Sequence, residues 1–162
     1  MKISNGQKLP DARFTVIGAE GPEQVDLAPL LSGRRVLVLG MPGAFTPTCS
    51  TAHLPSVIRS ADEIRAKGID EILLISVNDP HVMRAWGEQS GASAAGITLL
   101  ADAGCEFTES IGMRFDAPMV GLVARSLRYA MVVDDGAVEL LRIEEGRGTC
   151  AMTGGEAVLS LL

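Results

Sequence analysis

The sequence is poor in cysteine, with three residues in 162, at positions 49, 105 and 150. Their number is odd, their spacing is wide and no two form a CxxC pair. That excludes the disulfide framework of a small secreted domain, a zinc site built on paired thiols and a dithiol redox motif. Runs of Lys and Arg are also missing, and the formal net charge is −6. Nucleic-acid phosphates and an anionic membrane surface are therefore not expected as partners. No segment is long and apolar enough to span a bilayer. The opening residues MKISNGQKLP lack the apolar stretch of a secretory signal. With thiols left free, these absences lead to the expectation of a reducing, cytoplasmic setting. Gly18, Gly21 and Gly146 make no GxGxxG after a strand, which removes a dinucleotide site. His53 and His81 are too far apart to build a metal set with the scattered cysteines, so neither metal nor cofactor is expected.

Apolar residues make up 47% of the chain and charged residues 21%, the balance of an ordinary globular protein. The length suits a single domain covering residues 1–162. Alternation around Phe14 and Val16, with Gln24 to Asp26 as partner, predicts an N-terminal β-hairpin. The run RVLVLGM, 35–41, predicts a buried strand. After the turn from Pro42 to Pro47, Leu54, Val57, Ile58, Ala61 and Ile64 share one helical face, and Gly68 closes it. Pro55 lies inside that pattern and should kink it or end its first part. Strands are predicted over 72–77 and 97–100. Between them, Asp79 and Pro80 read as the cap and first residue of a helix. A short helix is expected over 106–113, a hairpin over 129–143 turning at Asp134-Asp135-Gly136, and a closing helix over 156–162. Strands alternate with helices and a hairpin follows. This is an α/β fold with a central mixed sheet flanked by helices.

The informative segment is PGAFTPTCS, 42–50. It leaves a buried strand and enters a helix, and ligands gather at such strand ends. Cys49 should sit in the first helical turn, where free N–H groups favour a thiolate. Lowering a thiol from its ordinary value of about 8.5 to about 6 takes roughly 3.4 kcal/mol of preferential anion stabilisation. A helix terminus supplies about 0.3–1 kcal/mol, reaching about 2 when partly buried. A cation and a hydroxyl are needed as well. Thr46 has the hydroxyl, and Pro42 and Pro47 stiffen the turn and shield the sulfur. Cysteine is commonly just a small buried hydrophobe, but this strand–turn–helix setting favours a nucleophile.

Pro42, Thr46 and Cys49 form PxxxTxxC, which resembles the active-site signature of peroxiredoxins. The longer string with His53-Leu54-Pro55 resembles the type II, or peroxiredoxin-five-like, subgroup. The resemblance continues in ISVNDP at 75–80, VMRAW at 82–86, LAD at 100–102 and RSLRYAMVV at 125–133, so it spans nearly the whole chain. It implies a thioredoxin-like fold and thiol-dependent reduction of hydrogen peroxide or organic hydroperoxides. It implies Cys49 as the attacking thiol, Thr46 as the active-site hydroxyl and Pro42 as the shielding proline. The active-site arginine falls on Arg128, which heads an apolar strand; Arg125, read as part of the preceding loop, is its rival. The product is a sulfenic acid. A thiol reductant such as thioredoxin, glutaredoxin or a small thiol is implied as partner, and a homodimer is expected.

One branch of the subgroup carries a resolving cysteine in a Gly/Thr-rich loop near the C-terminus. Cys150 fits that position, in a loop about two residues shorter; a bland loop cysteine is the competing reading. The plant-like branch uses a position that here holds Leu74. Cys105 reads as a small residue at a turn, with a reactive helix-start thiol as its rival. His53, one turn after Cys49, makes a Cys–His pair conceivable, but a structural role is expected. His81 should be exposed at a helix start. Trp86 and Met83 should pack in the core or at an interface. The competing functional reading is a redox regulator that uses oxidation of Cys49 to modify a partner protein. A thioredoxin-like reductase is excluded because Thr46 stands where the other cysteine of CxxC would be.

Overall fold

The computed structural model describes residues 1–146 and 148–162. Arg147, in the loop before Cys150, lies outside the described residues.

The predicted N-terminal hairpin is present: β1 (Arg13–Gly18) and β2 (Gly21–Asp26) pair antiparallel, with Phe14 opposite Val25. A five-residue helix, α1 (Leu27–Leu31), which the sequence reading missed, buries Leu27 and Leu31. The Val/Leu run forms β3 (Arg35–Met41), fully buried from Val36 onward. Next come α2 (Leu54–Ala66), β4 (Glu71–Ser76) and α3 (Pro80–Ser90), the last capped as expected by Asp79, whose side chain accepts from the N–H of His81 and Val82. β5 (Thr98–Ala101) and α4 (Glu106–Ser110) follow. The expected helix over 106–113 stops short because Gly112 turns the chain at φ 73°, a conformation that glycine adopts freely.

Residues 114–126 carry an element that the sequence reading left out. β6 (Arg114–Ala117) and β7 (Leu122–Ser126) form a separate two-stranded sheet, joined by a 3₁₀ turn over Pro118–Val120. Arg125, expected in a loop, is therefore on a strand. β8 (Tyr129–Asp134) and β9 (Ala137–Ile143) make the predicted hairpin, its turn held by Asp135 and Gly136 at φ 46° and 82°. The closing helix, α5 (Gly155–Leu159), is shorter than expected.

Among the described residues the main sheet has the order β2-β1-β5-β4-β3-β8-β9. β3, β4 and β5 are parallel; β8 runs antiparallel to β3, with Leu39 opposite Ala130 and Gly40 opposite Tyr129. Helices cover both faces. On one, Leu54, Val57, Ile64, Met83, Trp86 and Val158 pack on Leu37, Leu39 and Leu74. On the other, Phe14, Leu27, Phe107 and Ile111 pack on Val36, Val38 and Ile75. Each such side chain contributes roughly 1.5–3 kcal/mol through burial. Trp86 and Met83 thus belong to the core, while His81 is exposed at the start of α3.

One glycine fixes the sheet where the site forms. A Cβ on Gly40 would lie 2.1 Å from the Tyr129 ring. Only glycine leaves room for that ring at this point of β3. This packing brings the start of β8, and Arg128 just before it, beside the carboxyl end of β3.

Candidate active site

After Met41 the chain turns through Pro42 and Gly43, both buried. Phe45 takes φ 60°, a costly value for a residue with a Cβ. The Ala44 N–H donates to Asn78 Oδ1 at 2.9 Å, and Ser76 Oγ reaches the same oxygen at 2.7 Å. The turn is thus propped from the end of the neighbouring parallel strand. Ser76 and Asn78 were not singled out as supports in the sequence. The readable signal was two polar residues at the carboxyl end of a buried strand.

Helical structure begins at Pro47, and the Ser50 N–H donates to Thr46 O at 2.9 Å. Cys49 is therefore in the first turn, as expected. The chain then passes through a π-helical turn, Cys49–His53, in which the Leu54 N–H donates to Cys49 O five residues back. Pro55 supplies the reason. It has no N–H to continue the ordinary four-residue pattern, so the ladder changes register in front of it. Trp86 Nε1, from the core, donates to Ser50 Oγ of this turn at 3.1 Å.

Cys49 is fully buried. Arg128, only 3% exposed, donates from Nη1 to Cys49 Sγ at 3.3 Å. The same Nη1 lies 3.0 Å from His53 Nδ1. A guanidinium only donates, so Nδ1 must accept. The ring proton then sits on Nε2, which donates to Thr153 O at 2.8 Å. Burial first, and Arg128 second, push His53 down to about 4, so the imidazole is neutral at pH 7. A neutral ring locked between a cation and a carbonyl orients Arg128. It is not placed as a base for Cys49, which agrees with the structural role expected of it.

Arg125 does something else. Its Nη1 donates to Pro42 O at 3.5 Å, and a Cβ on Gly43 would come within 2.8 Å of it. It lies over the turn, while Arg128 meets the sulfur. Thr46 Oγ1 donates to Gly43 O at 2.7 Å, which leaves its lone pairs free to accept.

All three cysteines are free thiols. Cys150 is half-buried. Thr51, Ala52, Ser56 and Arg59, from the π-turn and α2, share with it the lining of a cavity of about 470 Å³. Thr48 Oγ1 reaches Gly148 O at 3.4 Å, which also lays the Cys150 segment against the Cys49 turn. Burial raises the Cys150 thiol above its ordinary value, with Arg128 pulling the other way. Leu74 is buried in β4. Cys105 lies apart from the Cys49 site, packed at the start of α4.

A further residue was missed. Glu144, just past β9, is 8% exposed, and its carboxylate collects the segment that follows Cys150. Oε1 accepts from Met152 N at 2.6 Å, Thr153 N at 2.8 Å and Thr153 Oγ1 at 3.0 Å. Oε2 accepts from Thr149 Oγ1 at 3.1 Å. Burial acts to raise this carboxyl, but the hydrogen bonds outweigh it and hold the group below its ordinary value.

The Redoxin family model matches residues 4–159. Over 99% of its length the chain is 45% identical to peroxiredoxin-2E-2, chloroplastic, of Oryza sativa subsp. japonica, of which it covers 72%. It is 40% identical to peroxiredoxin-2C of the same plant and covers 98% of that protein. Among solved structures it is similar to reduced Prx3 of Vibrio vulnificus in complex with H2O2, with TM-score 0.91, 40% identity and 98% of each chain covered.

Proposed function

Because the chain belongs to the peroxiredoxins of the Redoxin family, and is thus a thiol-dependent peroxidase, we propose that Cys49 is its attacking thiol and that Arg128, Thr46 and Pro42 complete the site. The contact of Arg128 Nη1 with Cys49 Sγ at 3.3 Å, away from water, carries this reading. It supplies the cation that a helix start alone lacks. Cys49 thiolate attacks one oxygen of the hydroperoxide as the O–O bond breaks. The leaving oxygen takes a proton and departs as water or an alcohol, and Cys49 becomes a sulfenic acid. Arg128 faces the charge that moves onto the leaving oxygen. Thr46 Oγ1, its own proton donated to Gly43 O, accepts the peroxide O–H and sets its orientation. Pro42, buried under the turn, limits water at the sulfur.

Cys150 is the resolving thiol in this reading. Its thiolate attacks the sulfenic sulfur, water leaves, and an intrachain disulfide forms, to be reduced by an external thiol. Supporting this is the shared cavity with Thr51 and Ala52. The π-turn and Pro55 leave few ordinary helix bonds to break when Cys49 swings out. Peptide mapping after one equivalent of peroxide should find Cys49 joined to Cys150. A stable sulfenic acid with Cys150 free, and unchanged turnover of Cys150→Ser with an external thiol, would establish a one-cysteine mechanism.

The reductant is of the thiol or thioredoxin type; which of thioredoxin, glutaredoxin or a small thiol serves best is decided by comparing turnover with each. A homodimer is supported by apolar side chains left exposed, Phe45 at 49%, Met119 at 96%, Val120 at 63% and Val123 at 57%. Phe45 belongs to the active-site turn, so such a contact would lie against the site. Sedimentation of the wild type and of Met119→Asp tests it, a monomeric wild type refuting it. One main sheet running from β2 to β9 supports a single domain over 1–162. Three free thiols support a cytoplasmic setting, which cell fractionation tests. The redox-regulator alternative is not favoured; steady peroxide consumption with a thiol reductant separates the two.

A further inference from the structure

Four hydrogen bonds form a closed ring that begins and ends on Arg128. The Glu144 N–H donates to Arg128 O at 3.0 Å, extending the β8–β9 ladder by one step. The Glu144 carboxylate accepts from Thr153 N at 2.8 Å. Thr153 O accepts from His53 Nε2 at 2.8 Å, and His53 Nδ1 accepts from Arg128 Nη1 at 3.0 Å. The ring joins the main chain of Arg128 to its own guanidinium by way of the end of β9, the segment after Cys150 and the π-turn. Thr153 and His53 are fully buried and Glu144 nearly so. In such surroundings each bond polarises the next, and losing one leaves its partners unsatisfied.

We propose that Glu144 is a positioning residue of the peroxidase site: through Thr153 and His53 it holds Arg128 against Cys49, and the same carboxylate latches the segment that carries Cys150. Glu144 fixes the Thr153 carbonyl, the carbonyl fixes the tautomer and tilt of His53, and the ring nitrogen fixes Arg128. The latch follows from the same oxygens, since Met152, Thr153 and Thr149 all donate to them. Closed, it favours attack on peroxide. Open, it frees the turn 149–153, which Cys150 needs in order to reach Cys49. One carboxylate therefore acts with opposite sign on the two half-reactions. The second half rests on Cys150 as the resolving thiol; the first does not.

The test uses Glu144→Gln, which keeps the shape and one acceptor, and Glu144→Ala. Iodoacetamide labelling of each cysteine at pH 7 is followed by peptide mapping, and rapid mixing gives the rates of peroxide oxidation and of disulfide formation. Labelling of Cys49 and its oxidation should fall about three- to tenfold in Glu144→Gln and further in Glu144→Ala, while disulfide formation accelerates. Labelling at Cys105 should stay constant. The effects of Glu144→Gln and His53→Ala should be strongly non-additive, because both break one ring. Unchanged labelling and oxidation of Cys49 in folded variants would overturn the proposal. So would a rise at Cys105, which would show general loosening. If Glu144→Ala fails to fold, Thr153→Val, which removes only the hydroxyl bond, should still give a smaller loss at Cys49. If the wild type forms no Cys49–Cys150 disulfide, the assignment of Cys150 fails, and the labelling of Cys49 still decides the role of Glu144.

Discussion

Cys49 and Cys105 occupy comparable places. Each follows the carboxyl end of a parallel strand, each stands at the start of a helix, and they are 0% and 2% exposed. The difference lies in the charges around them. At Cys49 the cation of Arg128 reaches the sulfur. At Cys105 burial raises the thiol first and the nearby Asp102 raises it further, with Arg114 opposing. Two N–H groups at the start of α4 are already taken, since Asp102 accepts from Phe107 N at 3.2 Å and Thr108 N at 2.8 Å. A helix start can serve one anion, and in that corner a carboxylate holds the place. Position at a helix terminus therefore does not make a nucleophile; the neighbouring charge decides.

The largest effect expected from breaking this contrast is at Cys49 itself. Cys49→Ser should abolish peroxide consumption with the fold retained, because a hydroxyl stays protonated and is far less nucleophilic. Near-normal turnover in that variant would refute the assignment.

Next comes His53, which has no counterpart beside Cys105. Its ordinary value is about 6.5, and in the fold it is pushed down to about 4. Between those values the unfolded chain takes up a proton that the native ring refuses. The His53 contribution to stability is therefore complete above about pH 6.5 and is lost as the pH falls toward 4, by about 3 kcal/mol at most. Urea unfolding at pH 7 and pH 4 should show a smaller loss in His53→Gln than in the wild type. Equal losses would mean that the ring is not held neutral.

Arg128→Met should slow peroxide attack by about 1.5–3 kcal/mol, or about 10- to 150-fold. Arg125→Met should cost less, since that side chain donates to Pro42 O over the turn and not to the sulfur. Stopped-flow oxidation rates of the two variants decide the order. The smallest effect is expected at Cys105→Ser, whose peroxide consumption should match the wild type; a clear loss would show that the second corner is reactive after all.

The parts of the fold that were legible in the sequence are those in which the local pattern and the tertiary demand agree. β3, β4 and β8 are buried on both faces, so near-continuous apolar runs betray them. Asp79-Pro80 and Asp135-Gly136 carry their own local chemistry. The β6–β7 hairpin was not read because β6 alternates only between exposed and half-buried residues and β7 buries a serine, Ser126, rather than an apolar residue, so neither strand shows much apolar contrast. Cys49, Thr46 and Pro42 lie within eight residues and were readable together. Glu144 and Thr153 were not, because their role arises where β9, the Cys150 segment and the π-turn meet, about a hundred positions from His53 in the chain. Arg128 was readable only in part: the resemblance assigned it to the site and its place at the head of a strand favoured it over Arg125, while the hydrogen bond to His53 that orients it depends on the fold.

The bond between Trp86 Nε1 and Ser50 Oγ gives the protein an optical readout of its own chemistry. Trp86 is the one tryptophan in the chain, so every photon of indole emission comes from a ring tied to the residue after Cys49. If Cys49 swings outward to meet Cys150, as proposed, the turn that contains Ser50 unwinds and this bond is cut. The indole then trades a fixed hydroxyl partner for a different dielectric, and its emission changes in step. On that proposal, the formation and reduction of a Cys49–Cys150 disulfide can be timed on unlabelled protein, in the same cuvette, one turnover after another.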